Sequence, residues 1–63
     1  MPLVEIHLLK GRTDEQKKAM LGAVTRAIHE SIDCPLETIR VWIEEIPRTE
    51  FMSTGVLASE KKN

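Results

Sequence analysis

The feature that most constrains this chain is a long helix-like stretch set between two short strand-like runs. Residues Leu3 to Leu9 alternate, with Val4, Ile6 and Leu8 on one face and Leu3, Glu5, His7 and Leu9 on the other. Lys10 and Gly11 punctuate that run. Thr13, Asp14, Glu15 and Gln16 then supply a helix start, with Thr13 as N-cap, Gln16 as its capping-box partner and the two acids at the positive helix end. Met20, Val24, Ala27, Ile28 and Ser31, joined by Ala23 and Ile32, recur at spacings of three and four. This predicts an amphipathic helix of about five turns. Lys17, Lys18, Arg26 and Glu30 are expected to face water. Pro35 disfavours a helical Cys34 and ends the helix there.

Residues 37–46 read as the second strand. Ile39, Val41 and Ile43 share one face, Arg40, Trp42, Glu44 and Ile46 the other, and Pro47 stops the run. Strand, helix and strand in this order make a β-α-β unit with parallel strands and a right-handed crossover. The remaining residues, 48–63, read as loop, with a short C-terminal hairpin near Gly55 and a charged, frayed tail. The expected fold class is a small α/β domain spanning 1–63.

A chain of 63 residues is near the lower limit for folding alone. Domains of that size bury only about 60% of their unfolded surface, so a metal, disulfides or oligomerisation usually assists. Cys34 is the only cysteine, and His7 and His29 have no cysteine pair to join, so neither a disulfide nor a zinc cluster is available. One helix covers one face of a two-stranded sheet, which leaves Leu3, Leu9, Trp42 and Ile46 and the sheet edges for a partner chain. An oligomer is therefore expected. The net charge of −1 is spread along the chain, and one Trp and one Phe offer little for stacking bases, which argues against nucleic acid. No run is long enough to span a bilayer, and no signal stretch opens the chain. A lone thiol suits a reducing compartment, so the expected address is cytoplasmic.

Pro2 admits two readings. Proline is tolerated at the first position of a strand, where no ladder donor is needed. If Met1 is removed, the ring nitrogen becomes instead a secondary amine, and α-amino groups titrate near ~8. An apolar pocket or nearby cations lower that value into the range of a general base. Arg12, in the strand-to-helix turn, and Arg40, on the Trp42 face of the second strand, are each suited to paired hydrogen bonds with a carboxylate. Either one, taken singly, also fits an ordinary surface residue. Phe51 stands alone in a polar loop, as a plug over the core or a lid on a pocket. His7, His29 and Cys34 read as structural, and the helix dipole alone accounts for Asp14 and Glu15. No Gly-rich phosphate loop, Ser-His-Asp set or metal motif is present.

Taken together, the start MPLVEIHLLKGRTDEQK, the Arg40-Val41 pair, and Phe51 followed by Gly55-Val56-Leu57-Ala58-Ser59 resemble the 4-oxalocrotonate tautomerase family over nearly the whole chain. The resemblance implies an isomerase of aromatic catabolism that uses no cofactor and no metal. The initiator methionine is removed in such enzymes. Pro2 then takes a proton from a dienol dicarboxylate of the 2-hydroxymuconate type and returns it to a distant carbon, giving the α,β-unsaturated ketone. Arg12 matches the arginine that binds the remote carboxylate. Arg40 matches one that reaches in from a neighbouring subunit to hold the 2-oxo and carboxylate end and stabilise enolate charge. Phe51 matches the aromatic residue that keeps the site apolar, and Leu9 a further pocket wall. The implied assembly is a dimer sharing a four-stranded sheet, repeated as a trimer of dimers into a homohexamer.

Departures from the pattern bear on substrate. Met52-Ser53-Thr54-Gly55 stands where relatives often carry Gly-Ile-Gly-Gly, so Ser53 replaces an apolar pocket residue. Trp42 and Pro47 are also less usual. No acid follows Phe51 at Met52 or Ser53, which disfavours hydration of chloroacrylates. Two alternatives stay open: a tautomerase for a monocarboxylate enol such as phenylenolpyruvate, and a non-catalytic subunit of a hetero-oligomer.

Overall fold

The computed structural model describes residues 1–61. Strand β1 (Leu3–Leu9) leads into helix α1 (Asp14–Ile32) and strand β2 (Arg40–Ile46), and a two-residue hairpin, β3 (Met52–Ser53) and β4 (Val56–Leu57), follows. The architecture is the expected α/β unit. β1 and β2 pair in parallel, with Leu3 opposite Arg40 and Leu9 opposite Ile46. Val4, Ile6 and Leu8 of β1 and Val41 and Ile43 of β2 are half-buried on the helix side, while Leu3, Glu5, His7, Arg40, Trp42 and Glu44 are exposed on the other.

The helix ends are closed as local chemistry dictates. The Thr13 hydroxyl accepts from the Gln16 N–H at 3.0 Å, and the Gln16 side-chain oxygen accepts from the Thr13 N–H at 3.0 Å. At the far end Asp33 takes a left-handed conformation, φ 54° and ψ 47°. His29 Nδ1 lies 2.7 Å from the Cys34 carbonyl oxygen, which gives this histidine a structural role at the helix terminus.

Three details differ from the sequence expectation. Lys17 faces the sheet rather than water, and its Nζ meets Glu45 Oε2 at 3.0 Å with the two side chains 22% and 28% exposed. The hydrogen bond and charge of Glu45, aided by Asp14 at 3.5 Å, raise the Lys17 pKa against an opposing contribution from burial. The half-buried stripe of α1 accordingly runs through Lys17, Met20, Leu21, Val24, Thr25, Ile28 and His29, whereas Ala23, Ala27, Ser31 and Ile32 are exposed. Thr25 enters the stripe because its hydroxyl donates to the Leu21 carbonyl at 2.8 Å. Finally, β2 begins at Arg40 and not at Glu37. Thr38 donates through both its N–H and its hydroxyl to the Pro35 carbonyl, at 3.1 and 2.8 Å, folding Leu36–Thr38 into one 3₁₀ turn.

The hairpin turns on Thr54 and Gly55, with φ of 55° and 77°. Positive φ at both central residues matches the twist of a two-residue hairpin. Glycine adopts it freely, while a β-branched threonine is strained there. The Ala58 N–H donates to the Phe51 carbonyl at 2.8 Å and closes the hairpin base.

This chain buries little by itself. Only Ile39 and Ala58 are buried among the described residues, at 8% and 7% exposure. The radius of gyration is 14.7 Å, with extents of 42 × 22 × 15 Å. A compact domain of this length has a radius near ~11 Å. The β-α-β unit and its C-terminal arm therefore form an elongated protomer with apolar side chains, Leu3 and Met52 among them, left open. No helix among the described residues is long and apolar enough to cross a membrane.

Candidate active site

The candidate residues fall at the two ends of the parallel sheet. Pro2 and Arg40 share one end, because the Arg40 N–H donates to the Pro2 carbonyl at 3.1 Å and Arg40 stands opposite Leu3 in the register. Pro2 is half-buried, and its missing N–H costs the ladder nothing at this first position. The exposed Arg40 side chain curls back, with Nη1 donating to the Glu37 carbonyl at 2.6 Å and to the Ile39 carbonyl at 3.4 Å. Its remaining guanidinium N–H groups have no partner among the described residues.

Leu9 and Phe51 sit at the opposite end. Leu9 pairs with Ile46, and the chain leaves β2 through Pro47 and a 3₁₀ turn over Arg48–Glu50 before it reaches Phe51. Leu9 and Phe51 line one cleft of about 240 Å³ together with Arg48, Ser53, Val56 and Lys61. The wall is apolar and the polar rim cationic. Phe51 is 41% exposed in the protomer.

Arg12 is at this end too, but on the other face. It lines a separate cleft of about 340 Å³ with Leu8, Gln16, Lys17 and Met20. Leu8 and Leu9 point to opposite sides of β1, and Arg12 follows the helix side. A strand advances about 3.3 Å per residue, so Pro2 and Leu9 of one chain stand roughly 23 Å apart. The structure therefore brings Leu9 to Phe51 and Pro2 to Arg40. It does not bring the two pairs together within one chain.

Sequence reading passed over Arg48. Its Nε donates to the Lys10 carbonyl at 2.9 Å across 38 residues of sequence. The signal available beforehand was the parallel pairing itself, which sets whatever follows β2 beside whatever follows β1. No three His, Cys, Asp or Glu side chains converge on one point among the described residues.

Residues 2–61 match the family model for tautomerase enzymes. A 2-hydroxymuconate tautomerase from Comamonas testosteroni is 43% identical over 60 residues, which is 95% of each chain. A solved 4-oxalocrotonate tautomerase isozyme from Methylibium petroleiphilum superposes with a TM-score of 0.87 at 41% identity, covering 94% of this chain and 95% of that one. A heterohexamer 4-oxalocrotonate tautomerase from Chloroflexus aurantiacus gives a TM-score of 0.90 at 34% identity, over 98% of this chain and 100% of that one. The chain belongs to the tautomerase family and is an isomerase.

Proposed function

We propose that this chain, as one tautomerase domain, converts a dienol dicarboxylate of the 2-hydroxymuconate type into its α,β-unsaturated ketone, with Pro2 as general base once Met1 is removed. The free secondary amine takes the hydroxyl proton of the dienol. As that O–H bond breaks, the enol carbon–oxygen bond becomes a carbonyl and the conjugated double bonds shift. The electron pair emerges at a remote carbon, which takes the proton back from the ammonium, so nothing is consumed and no cofactor enters. Arg40 holds the 2-oxo and carboxylate end and stabilises the oxygen as it gains charge. Arg12 takes the remote carboxylate. Leu9 and Phe51 keep the site apolar, which favours the neutral amine.

The observation that carries this reading is the separation of Pro2 and Arg40 from Leu9 and Phe51 along the sheet. Two copies pairing their sheets in opposite directions set one copy's Pro2 beside the other's Leu9–Phe51 cleft. The same pairing covers exposed Leu3, Met52 and Trp42, which supports a homo-oligomer built from dimers, up to a hexamer. The lone thiol of Cys34 suits a reducing cytoplasm. With Met1 attached, the Pro2 nitrogen is an amide and accepts no proton.

Two observations favour alternatives. Arg12 lies outside the Leu9–Phe51 cleft, as suits a monocarboxylate enol such as phenylenolpyruvate. Likeness to the Chloroflexus heterohexamer favours a subunit that works with a non-identical partner. Kinetics on 2-hydroxymuconate and on phenylenolpyruvate, with protein shown by mass to begin at Pro2, separate these. Turnover favouring the dicarboxylate supports the proposal, and inactivity on both substrates sinks it.

A further inference from the structure

We propose that Arg48 is a specificity-determining residue of this site, a second cation that joins Arg12 in holding the far carboxylate of a dicarboxylate substrate at the Leu9–Phe51 cleft. The inference rests on the tautomerase reading above and adds to it a residue outside the motif that carries the resemblance. Pro47 ends β2, and the turn over Arg48–Glu50 sends the Arg48 side chain back to the end of β1. There the Lys10 carbonyl clamps Nε at 2.9 Å. Nε and Nη2 lie against Gly11, each 3.6 Å from where a Cβ would stand, and Gly11 has a φ of 137° that L side chains rarely adopt. The guanidinium of Arg48, a half-buried residue, is thus held by one nitrogen, and its two terminal nitrogens have no hydrogen-bond or carboxylate partner among the described residues.

That leaves the end-on fork free, the arrangement that meets a carboxylate with two parallel N–H groups. Its setting selects for such a ligand. Leu9, Phe51 and Val56 provide an apolar wall for a conjugated carbon chain, Lys61 adds a second cation, and no Asp or Glu lines the cleft. An acid-free cleft beside apolar surface strengthens the attraction to an anion, because less water screens it. Within one protomer Arg12 lines the cleft on the other face of β1, so Arg48 is the arginine that this cleft receives from its own chain.

The rival role for Arg48 is a purely structural tie between the hairpin arm and β1. Arg48→Gln separates the two, because the glutamine amide nitrogen reaches the same place as Nε and can still donate to Lys10, without charge. Calorimetry on protein beginning at Pro2 would compare muconate, a dienedioate that lacks the hydroxyl and cannot tautomerise, with sorbate, the corresponding monocarboxylate. The wild type is expected to prefer muconate, and Arg48→Gln to cut that preference about tenfold, the scale of a charge-assisted hydrogen bond. Arg48→Lys should restore part of it, through charge without the fork. An undiminished preference in Arg48→Gln, or equal weakening of both ligands with a lowered Tm, would overturn the inference, as would a wild type that shows no preference. Turnover of 2-hydroxymuconate, measured in parallel, tests the tautomerase reading alone. A muconate preference that depends on Arg48 in an inactive wild type keeps this inference and sinks that reading, and the converse result sinks only this one.

Discussion

The two ends of the parallel sheet differ in what they present, and the proposed reaction gives each a different job. At the Pro2 end the chain presents backbone chemistry: a strand-opening proline whose carbonyl is held by the Arg40 N–H, and a guanidinium curled over its own turn. At the Leu9 end it presents a surface, an apolar cleft with cations at its rim and no acid. In the proposed reaction one end supplies the base but encloses nothing. The other can enclose a conjugated acid but carries no base. With about 23 Å of strand between them, a single protomer does not bring the two ends together. The protomer's thin core, in which only Ile39 and Ala58 are buried among the described residues, points the same way. The thin core and the divided site both favour the proposed pairing of copies.

The largest effect expected from disturbing this contrast is at Pro2. Homogeneous protein that retains Met1 should lose about 10²–10⁴-fold in kcat/KM, the usual contribution of a general base, while its circular dichroism stays that of the folded protein. Full activity in mass-verified Met1-bearing protein would return Pro2 to the role of strand opener. Arginine substitutions come next. Arg40→Ala should lower kcat by about 10²-fold, since its partner oxygen gains charge in the transition state. Arg12→Ala should act mainly by raising KM, by about tenfold, if it binds only the remote carboxylate. Equal small effects from both would break the division of labour assigned to them.

A smaller effect concerns stability and not turnover. The Lys17 pKa is raised in the folded protein by Glu45, so the pair's contribution is fully present below the ordinary lysine value of 10.5 and is lost as pH climbs through the higher folded value. Denaturation at pH 8 and in the alkaline range should show the wild type losing more stability than Lys17→Met across that window. Parallel losses in the two proteins would mean that the pair stabilises nothing.

How far the sequence was legible follows the distance over which each feature is set. Val4, Ile6 and Leu8 declare a strand face by alternation, and Thr13 with Gln16 declares a helix start within four residues, so both could be read directly. The facing of Lys17 depends on Glu45, 28 residues away, which no helical period reveals. The start of β2 was placed too early because the strand-like composition of residues 37–39 hid the turn made by Thr38 on Pro35. Arg48 was missed for the same reason as Lys17, since its contact with Lys10 exists only once the parallel register is known. Pro2, Arg12, Arg40 and Phe51 stood out on their own chemistry, while their roles, and Leu9 as a candidate, came from the family pattern. Their geometry in one protomer unites only Leu9 with Phe51 and Pro2 with Arg40.

The central claim is that each working site takes its base from one copy and its cleft from another, and subunit complementation tests it most directly. Met1-retaining protein, with an intact cleft and a blocked base, would be unfolded together with Phe51→Ala, which has a free Pro2 and a damaged cleft, and the two refolded as an equal mixture. Random pairing across a two-fold interface makes roughly a quarter of the sites whole, so activity should rise well above the mean of the two parents. Activity that stays at that mean, in a mixture shown by native mass spectrometry to contain both chains in one oligomer, would contradict the account and place the whole site within a single chain.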